Sequence, residues 1–212
     1  MLPIFSPSKP SSLSRRDILT MRLFYMAKLI GHKSPFHRVG WKSQATQEAR
    51  FNALLAVGDL EGKSILDLGC GLGCLYGYLK EREWKGEYTG VDVLDMMVNG
   101  ARDRFPGAIF EKRNILLDPP RREWDYVFIS GIFNHRVKDN WAWIDETVRL
   151  CFKLSRSAVA FNLLETQKNE HDPVFFYAKR GDLERKAELW TGGNYKIASG
   201  YLTDDMTVYL YH

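Results

Sequence analysis

From residue 63 onward the apolar positions fall in short runs, and between the runs they recur every three or four residues. The runs SILDL (64–68), YTGVD (88–92), AIFE (108–111), DYVFIS (125–130) and AVAFNL (158–163) read as strands. Stretches near 72–83, 95–105, 139–154 and 182–190 read as helices, the third because Ile144, Val148 and Cys151 recur along one face. Alternating strands and helices predict a parallel sheet covered by helices. The chain's end breaks the rhythm: YKIASGYL (195–202) and MTVYLY (206–211) are separated only by TDD and must pair as an antiparallel hairpin.

Ahead of the first strand, residues 17–31 carry helical spacing and end in a glycine suited to a C-cap. KSPFHRVGW (33–41) reads as a loop. Residues 43–58 read as a second helix, with Phe51, Leu54 and Leu55 on one face and Gly58 as the stop. Together residues 18–60 are expected to form a helical cover over whatever site the domain at 61–212 builds. Residues 1–17 are expected to be a flexible tail. Their Ser, Pro and basic content also suits a transit peptide, but Pro3, Pro7 and Pro10 interrupt the amphipathic helix such a peptide needs.

Composition adds bounds. The 212 residues suffice for one α/β domain, and 45% hydrophobic with 26% charged residues is an ordinary folded balance. No apolar run approaches the roughly 18 residues of a membrane span. A net charge of +4, with basic residues scattered among acids, is weak evidence for a nucleic-acid partner. The three cysteines, Cys70, Cys74 and Cys151, make no disulfide framework and fit a reducing, cytoplasmic setting.

The chemistry concentrates in ILDLGCGLG (65–73). A strand running through Asp67 into Gly69, Gly71 and Gly73 before a helix lets a ligand lie against bare main chain at the sheet's carboxyl edge. The dinucleotide pattern Gly-x-Gly-x-x-Gly would need a third glycine at position 74, which is Cys74. The spacing present, Asp-x-Gly-x-Gly-x-Gly, resembles motif I of the class I S-adenosylmethionine-dependent methyltransferases. The resemblance covers roughly residues 40–212 and implies a Rossmann-like, mostly parallel seven-stranded sheet ending in an antiparallel hairpin, with helices on both faces. It implies S-adenosyl-L-methionine as cofactor, S-adenosyl-L-homocysteine as product, and a cofactor site at Asp67, Gly69, Cys70, Gly71, Gly73, Asp92, Val93, Asn114, Ile115, Ser130 and Gly131. Asp92 would accept from the ribose hydroxyls, Asp67 would help to hold the cationic amino group, and Asn114 with Ile115 would meet the adenine.

Within that superfamily the chain is similar to a group of methyltransferase-domain proteins of unassigned substrate, through Trp41, the Gln47, Arg50 and Phe51 helix, residues 130–134, residues 160–162 and residues 207–211. For acceptor chemistry His135 and His37 are candidate bases, and Trp41, Asn134, Asn162 and Glu165 candidate acceptor contacts. A solvated loop histidine, core tryptophan or polar turn cap would account for the same residues. Methyl transfer from a sulfonium needs a base only where the acceptor holds its proton. The Asp/Asn-Pro-Pro-aromatic motif of nucleic-acid amino methyltransferases is replaced by SGIF, which argues against a nucleic-acid acceptor. Cys70 and Cys74 have the first spacing of a radical enzyme's cluster motif, but position 77 is Gly77, so neither cluster nor other metal is expected. The expectation is a methyltransferase with an unidentified, small-molecule acceptor; a binding protein that holds the cofactor without transfer is the alternative.

Overall fold

The computed structural model describes residues 14–166 and 172–212. The tail expected over 1–17 lies outside the described residues as far as residue 13, and from there Ser14 caps helix α1 (Arg15–Gly31). Asp17 N donates to Ser14 Oγ at 3.1 Å and Ser14 N donates to Asp17 Oδ2 at 3.0 Å, satisfying two donors that a helix start leaves open. The segment read as a loop contains one helical turn, α2 (Pro35–Arg38), because proline at its start presets the helical φ and has no N–H to leave unpaired. Helix α3 (Gln44–Leu55) follows, capped by Ser43.

The sheet and its helices then alternate as β1 (Ser64–Leu68), α4 (Cys74–Glu81), β2 (Glu87–Asp92), α5 (Asp95–Arg104), β3 (Ile109–Lys112) and β4 (Trp124–Ile129). A short 3-10 turn (Ile132–Asn134) leads to α6 (Asn140–Leu154), β5 (Ser155–Glu165), β6 (Tyr177–Ala178), α7 (Arg180–Thr191), β7 (Tyr195–Ser199) and β8 (Asp205–Tyr211). Strand order is β3-β2-β1-β4-β5-β8-β7, parallel as far as β5 and antiparallel at β8 and β7. The expected hairpin is present, with β8 inserted between β5 and β7. The two-residue β6, which has no apolar run to announce it, adds to the end of β5 as an eighth strand.

Side chains alternate across the sheet. Ile65, Phe128, Ala160 and Tyr209 face a layer holding Phe51 and Leu54 of α3 with Leu75 and Leu79 of α4. Leu66, Val127, Phe161 and Val208 face Ile144 and Val148 of α6 with Leu183 and Trp190 of α7. The period of two along each strand thus feeds both cores. Among the described residues no helix is long and apolar enough to cross a membrane.

Helix α3 is joined to the sheet by a buried ion pair. Arg50 Nε donates to Asp205 Oδ1 at 2.6 Å, its second nitrogen donates to Oδ2, and Arg50 also donates to Thr46 O at 3.0 Å. Tyr209 adds a hydroxyl bond to Ala53 O at 2.5 Å. Breaking such a pair leaves one buried charge uncompensated. Arg50→Ala is therefore expected to lower the unfolding free energy by about 3–5 kcal/mol, read from the urea midpoint at unchanged slope.

Candidate functional site

The strand order reverses between β1 and its neighbours β2 and β4, the place where an open α/β sheet leaves a crevice at its carboxyl edge. A cavity of about 410 Å³ opens there, lined by the ends of β1, β2 and β4 and covered by α1, the 39–42 segment and α3. Its floor is the glycine turn. Gly69 N and Cys70 N both donate to Val91 O, at 2.7 and 3.1 Å, and Gly71 N donates to Asp92 Oδ2 at 3.0 Å. Three successive amides are thereby fixed to the end of β2.

Two glycines here are required by geometry. Gly69 has φ +77, and a Cβ on it would stand 2.1 Å from Ile132 Cγ2. Gly71 has φ +52 and lines the cavity with nothing but main chain. Asp92 holds the turn with one oxygen and accepts from Leu94 N at 2.9 Å with the other. A carboxylate has about four lone-pair sites, so it keeps capacity for further donors. Burial, opposed by its backbone hydrogen bonds, pushes the Asp92 carboxyl up to about 6. Asp67, almost wholly buried, is pushed up to about 7, by burial first; a hydrogen bond from Tyr88 at 2.5 Å opposes this and the Asp92 charge adds to it.

Of the residues expected at a cofactor, Asp67, Gly69, Cys70, Gly71, Asp92, Val93, Ser130 and Gly131 line this cavity. Gly73, Asn114 and Ile115 do not. Gly73 starts α4 behind the turn, Asn114 Oδ1 is occupied by Leu116 N at 3.1 Å, and Ile115 is buried in the α6 core. Trp41, Asn134 and His135 line it. His37 does not: it sits at 3.1 Å from Lys42 O and packs against Phe36 and His32. Asn162 lies under the lining, accepting from Ser130 Oγ at 3.2 Å and donating to Thr207 Oγ1 at 2.8 Å. Glu165 ends β5 outside the lining, its amide bonded to Asp204 O.

His135 and Asn134 carry the polar end. His135 is 8% exposed, and its Nε2 lies 2.8 Å from the hydroxyl of Tyr25, which α1 delivers from 110 residues away. Burial pulls the imidazole down to about 4, so it is neutral at ordinary pH. Asn134 is 6% exposed, and its amide oxygen is buried without a hydrogen-bond partner among the described residues. Tyr25 belongs to no motif. The signal available in sequence was only the inward spacing of Met21, Phe24 and Tyr25, which all line the cavity. Arg50 was noticed as part of a resemblance, and its place in the lining, with its guanidinium 4.3 Å from the Trp41 ring, depends on the tertiary fold.

Residues 65–153 match the family model described as a methyltransferase domain. Over 105 residues the chain is 43% identical to Rv1506c of Mycobacterium tuberculosis (strain ATCC 25618 / H37Rv), provisionally named a methyltransferase, with 48% of this chain and 63% of that one covered. Residues 65–153 thus carry the likeness to a methyltransferase domain, and this relative bears the same kind of name. A second relative, trans-aconitate 2-methyltransferase of Afipia carboxidovorans, is 31% identical over 93 residues, covering 44% of this chain and 36% of its own. The chain therefore spans less than two thirds of the length of these curated relatives. Among solved structures, 1,6-didemethyltoxoflavin-N1-methyltransferase of Burkholderia thailandensis, bound to its named ligand and S-adenosylhomocysteine, superposes with a TM-score of 0.67 at 14% identity, covering 99% and 93% of the two chains. Magnesium protoporphyrin IX methyltransferase of Synechocystis, bound to S-adenosylmethionine, gives 0.63 at 15% identity over 94% and 97%. At these identities the structures report the fold. Among the described residues no three His, Cys, Asp or Glu side chains group as a metal site.

The buried histidine makes a stability prediction for the class I methyltransferase fold. The unfolded imidazole titrates near 6.5 and the folded one near 4, so below about pH 6.5 the unfolded state takes up a proton first and stability falls until about pH 4. Asp67 and Asp92 act in the opposite sense over the same range, so the contribution is read as a difference. Wild type is expected to lose on the order of 3 kcal/mol relative to His135→Gln between pH 6.5 and 4, with no change above. Denaturant titrations of both proteins across that range are the measurement.

Proposed function

We propose that the protein transfers a methyl group from S-adenosyl-L-methionine to a small-molecule acceptor by in-line displacement. The observation that carries this reading is the glycine turn fastened to Asp92 on the cavity floor, beside a second buried acid, Asp67. Bare backbone admits the sulfonium nucleoside closely, the free lone pairs of Asp92 suit two sugar hydroxyls, and Asp67 suits a cationic amino group. Cys70, Val93, Ser130 and Gly131 complete the proposed cofactor contacts along the lining. Both relatives named above carry methyltransferase names, one of them provisional, and both solved structures carry this cofactor or its product.

When bound, the cofactor supplies an electrophilic methyl group on a positively charged sulfur. The chain's own residues supply position and dryness. Residues 18–60 close the cavity, with Trp41 held by Arg50 on one side. His135 and Asn134 face the acceptor half, and neutral His135 is the base where one is needed. A cytoplasmic location belongs to the same proposal and rests on three cysteines that are all free.

Calorimetry with S-adenosylhomocysteine tests the cofactor half. Gly71→Val is expected to abolish binding by filling the floor. Asp92→Ala is expected to weaken it by on the order of 1–3 kcal/mol, roughly 5- to 150-fold. Unchanged affinity in both variants removes the assignment of the turn. Accumulation of S-adenosylhomocysteine from S-adenosylmethionine and a metabolite extract tests transfer itself.

A further inference from the structure

We infer that Tyr25 is a second catalytic residue, and that the acceptor enters carrying its proton, as a hydroxyl or a neutral N–H group, and not as a carboxylate. This rests on the methyltransferase reading above and adds the substrate class and the proton's path. Three observations converge on it.

The first is the Tyr25–His135 contact. A tyrosine hydroxyl and an imidazole 2.8 Å apart, both lining the cavity, form a chain along which one proton can pass. Phe24 packs against His135 at 5.1 Å and Phe175 at 6.2 Å between ring centroids, so the pair stands among apolar rings with bulk water held off. Both groups are neutral: burial lowers the imidazole to about 4, and burial together with the Asp92 charge raises the phenol. Tyr25 lines the same cavity as Asp92 of the proposed cofactor floor.

The second is Asn134. Its buried oxygen has no donor among the described residues, and an O–H or N–H group can provide one. A carboxylate has only acceptor atoms and would leave that oxygen unpaired.

The third is the charge of the lining. Arg50 is committed to Asp205. With Asp67 and Asp92 taken up by the cofactor in the reading above, the described lining residues leave Lys42 against Asp172 and Asp204 on the acceptor side. A cavity with more acids than cations repels an anionic acceptor and accepts an uncharged one. A carboxylate is moreover already deprotonated at neutral pH, so a buried proton path would have nothing to carry.

In the transfer, the acceptor's proton passes to Tyr25 Oη while Tyr25's own proton passes to His135 Nε2. The acceptor's electron pair forms the bond to the methyl carbon as the carbon–sulfur bond breaks and leaves its pair on sulfur. One positive charge enters on the sulfonium and one remains on the imidazolium, so the step balances. His135 therefore carries its resting proton on Nδ1, with Nε2 accepting from Tyr25.

Wild type, Tyr25→Phe, His135→Gln and the double variant are compared as full chains. S-adenosylhomocysteine affinity by calorimetry is expected to stay within about threefold in all four, and a wild type that does not bind removes the underlying reading instead. Nitrogen-15 spectra of labelled histidine, with no acceptor present, are expected to show Nε2 of His135 unprotonated in wild type and to lose that preference in Tyr25→Phe. Turnover is measured with S-adenosylmethionine against phenols and aromatic amines as one probe set and trans-aconitate and malonate as the other. Activity is expected in the first set alone, falling about 100-fold or more in each single variant and no further in the double variant. Methylation of the carboxylates, no methylation of either set by a protein that binds the cofactor product, a protonated Nε2, or losses that multiply in the double variant each overturn the proposal.

Discussion

The site depends on three consecutive amides being held by two residues of a neighbouring strand. Gly69, Cys70 and Gly71 emerge from β1 with no strand partner left, and Val91 O and Asp92 Oδ2 accept from all three. An unpaired buried amide costs about as much as a lost hydrogen bond, so the turn has a strong reason to keep this one shape. The same bonds set the place of Asp92. Its carboxylate is pinned by Gly71 N and Leu94 N while two lone-pair sites remain, which makes it a fixed acceptor for a ligand. Parallel pairing of β1 with β2, Leu68 opposite Val91, brings these groups together.

The strands were legible because each is a short apolar run, and strands buried on both faces leave that mark directly in the chain. The closing hairpin was legible because so short a connection cannot span a crossover, although β7 stops at Ser199, short of the expected residue 202. What escaped was written in one or two residues: the single turn of α2, started by Pro35, and β6, whose partner is the far end of β5. The floor of the site was legible for a related reason. Glycine spacing after a strand is local, and the residues it marks, Gly69 and Gly71, lie where a strand's end must put them.

The acceptor side was far less legible. His37 and His135 look alike in sequence, each in a polar segment beside aromatic residues, yet His37 spends its Nε2 near Lys42 O outside the lining while His135 is buried at the cavity. Asn114 has the right strand to follow, but its side chain is used to turn its own backbone. Tyr25 reaches His135 only because α1 folds back across the sheet edge. No local pattern encodes a contact spanning 110 residues.

The ionisable groups of the cavity share one physical circumstance. Burial raises Asp67 and Asp92 and lowers His135, and in each case it favours the neutral form. Such a cavity resists any lone charge, but it rewards a cation that arrives at the acids, because Coulombic attraction at low dielectric is strong and the two carboxyls then ionise together. A sulfonium nucleoside with an ammonium group meets that requirement, and its binding at mildly acidic pH must release protons by linkage. The neutral imidazole sits at the other end, paired with a phenol and shielded by rings; burial weakens its proton affinity and keeps it uncharged until methyl transfer makes the acceptor's proton strongly acidic. Under the proposed function, acids on the floor and a neutral base under α1 would divide the work by position, one end fixing the charge that enters and the other taking the charge that is left.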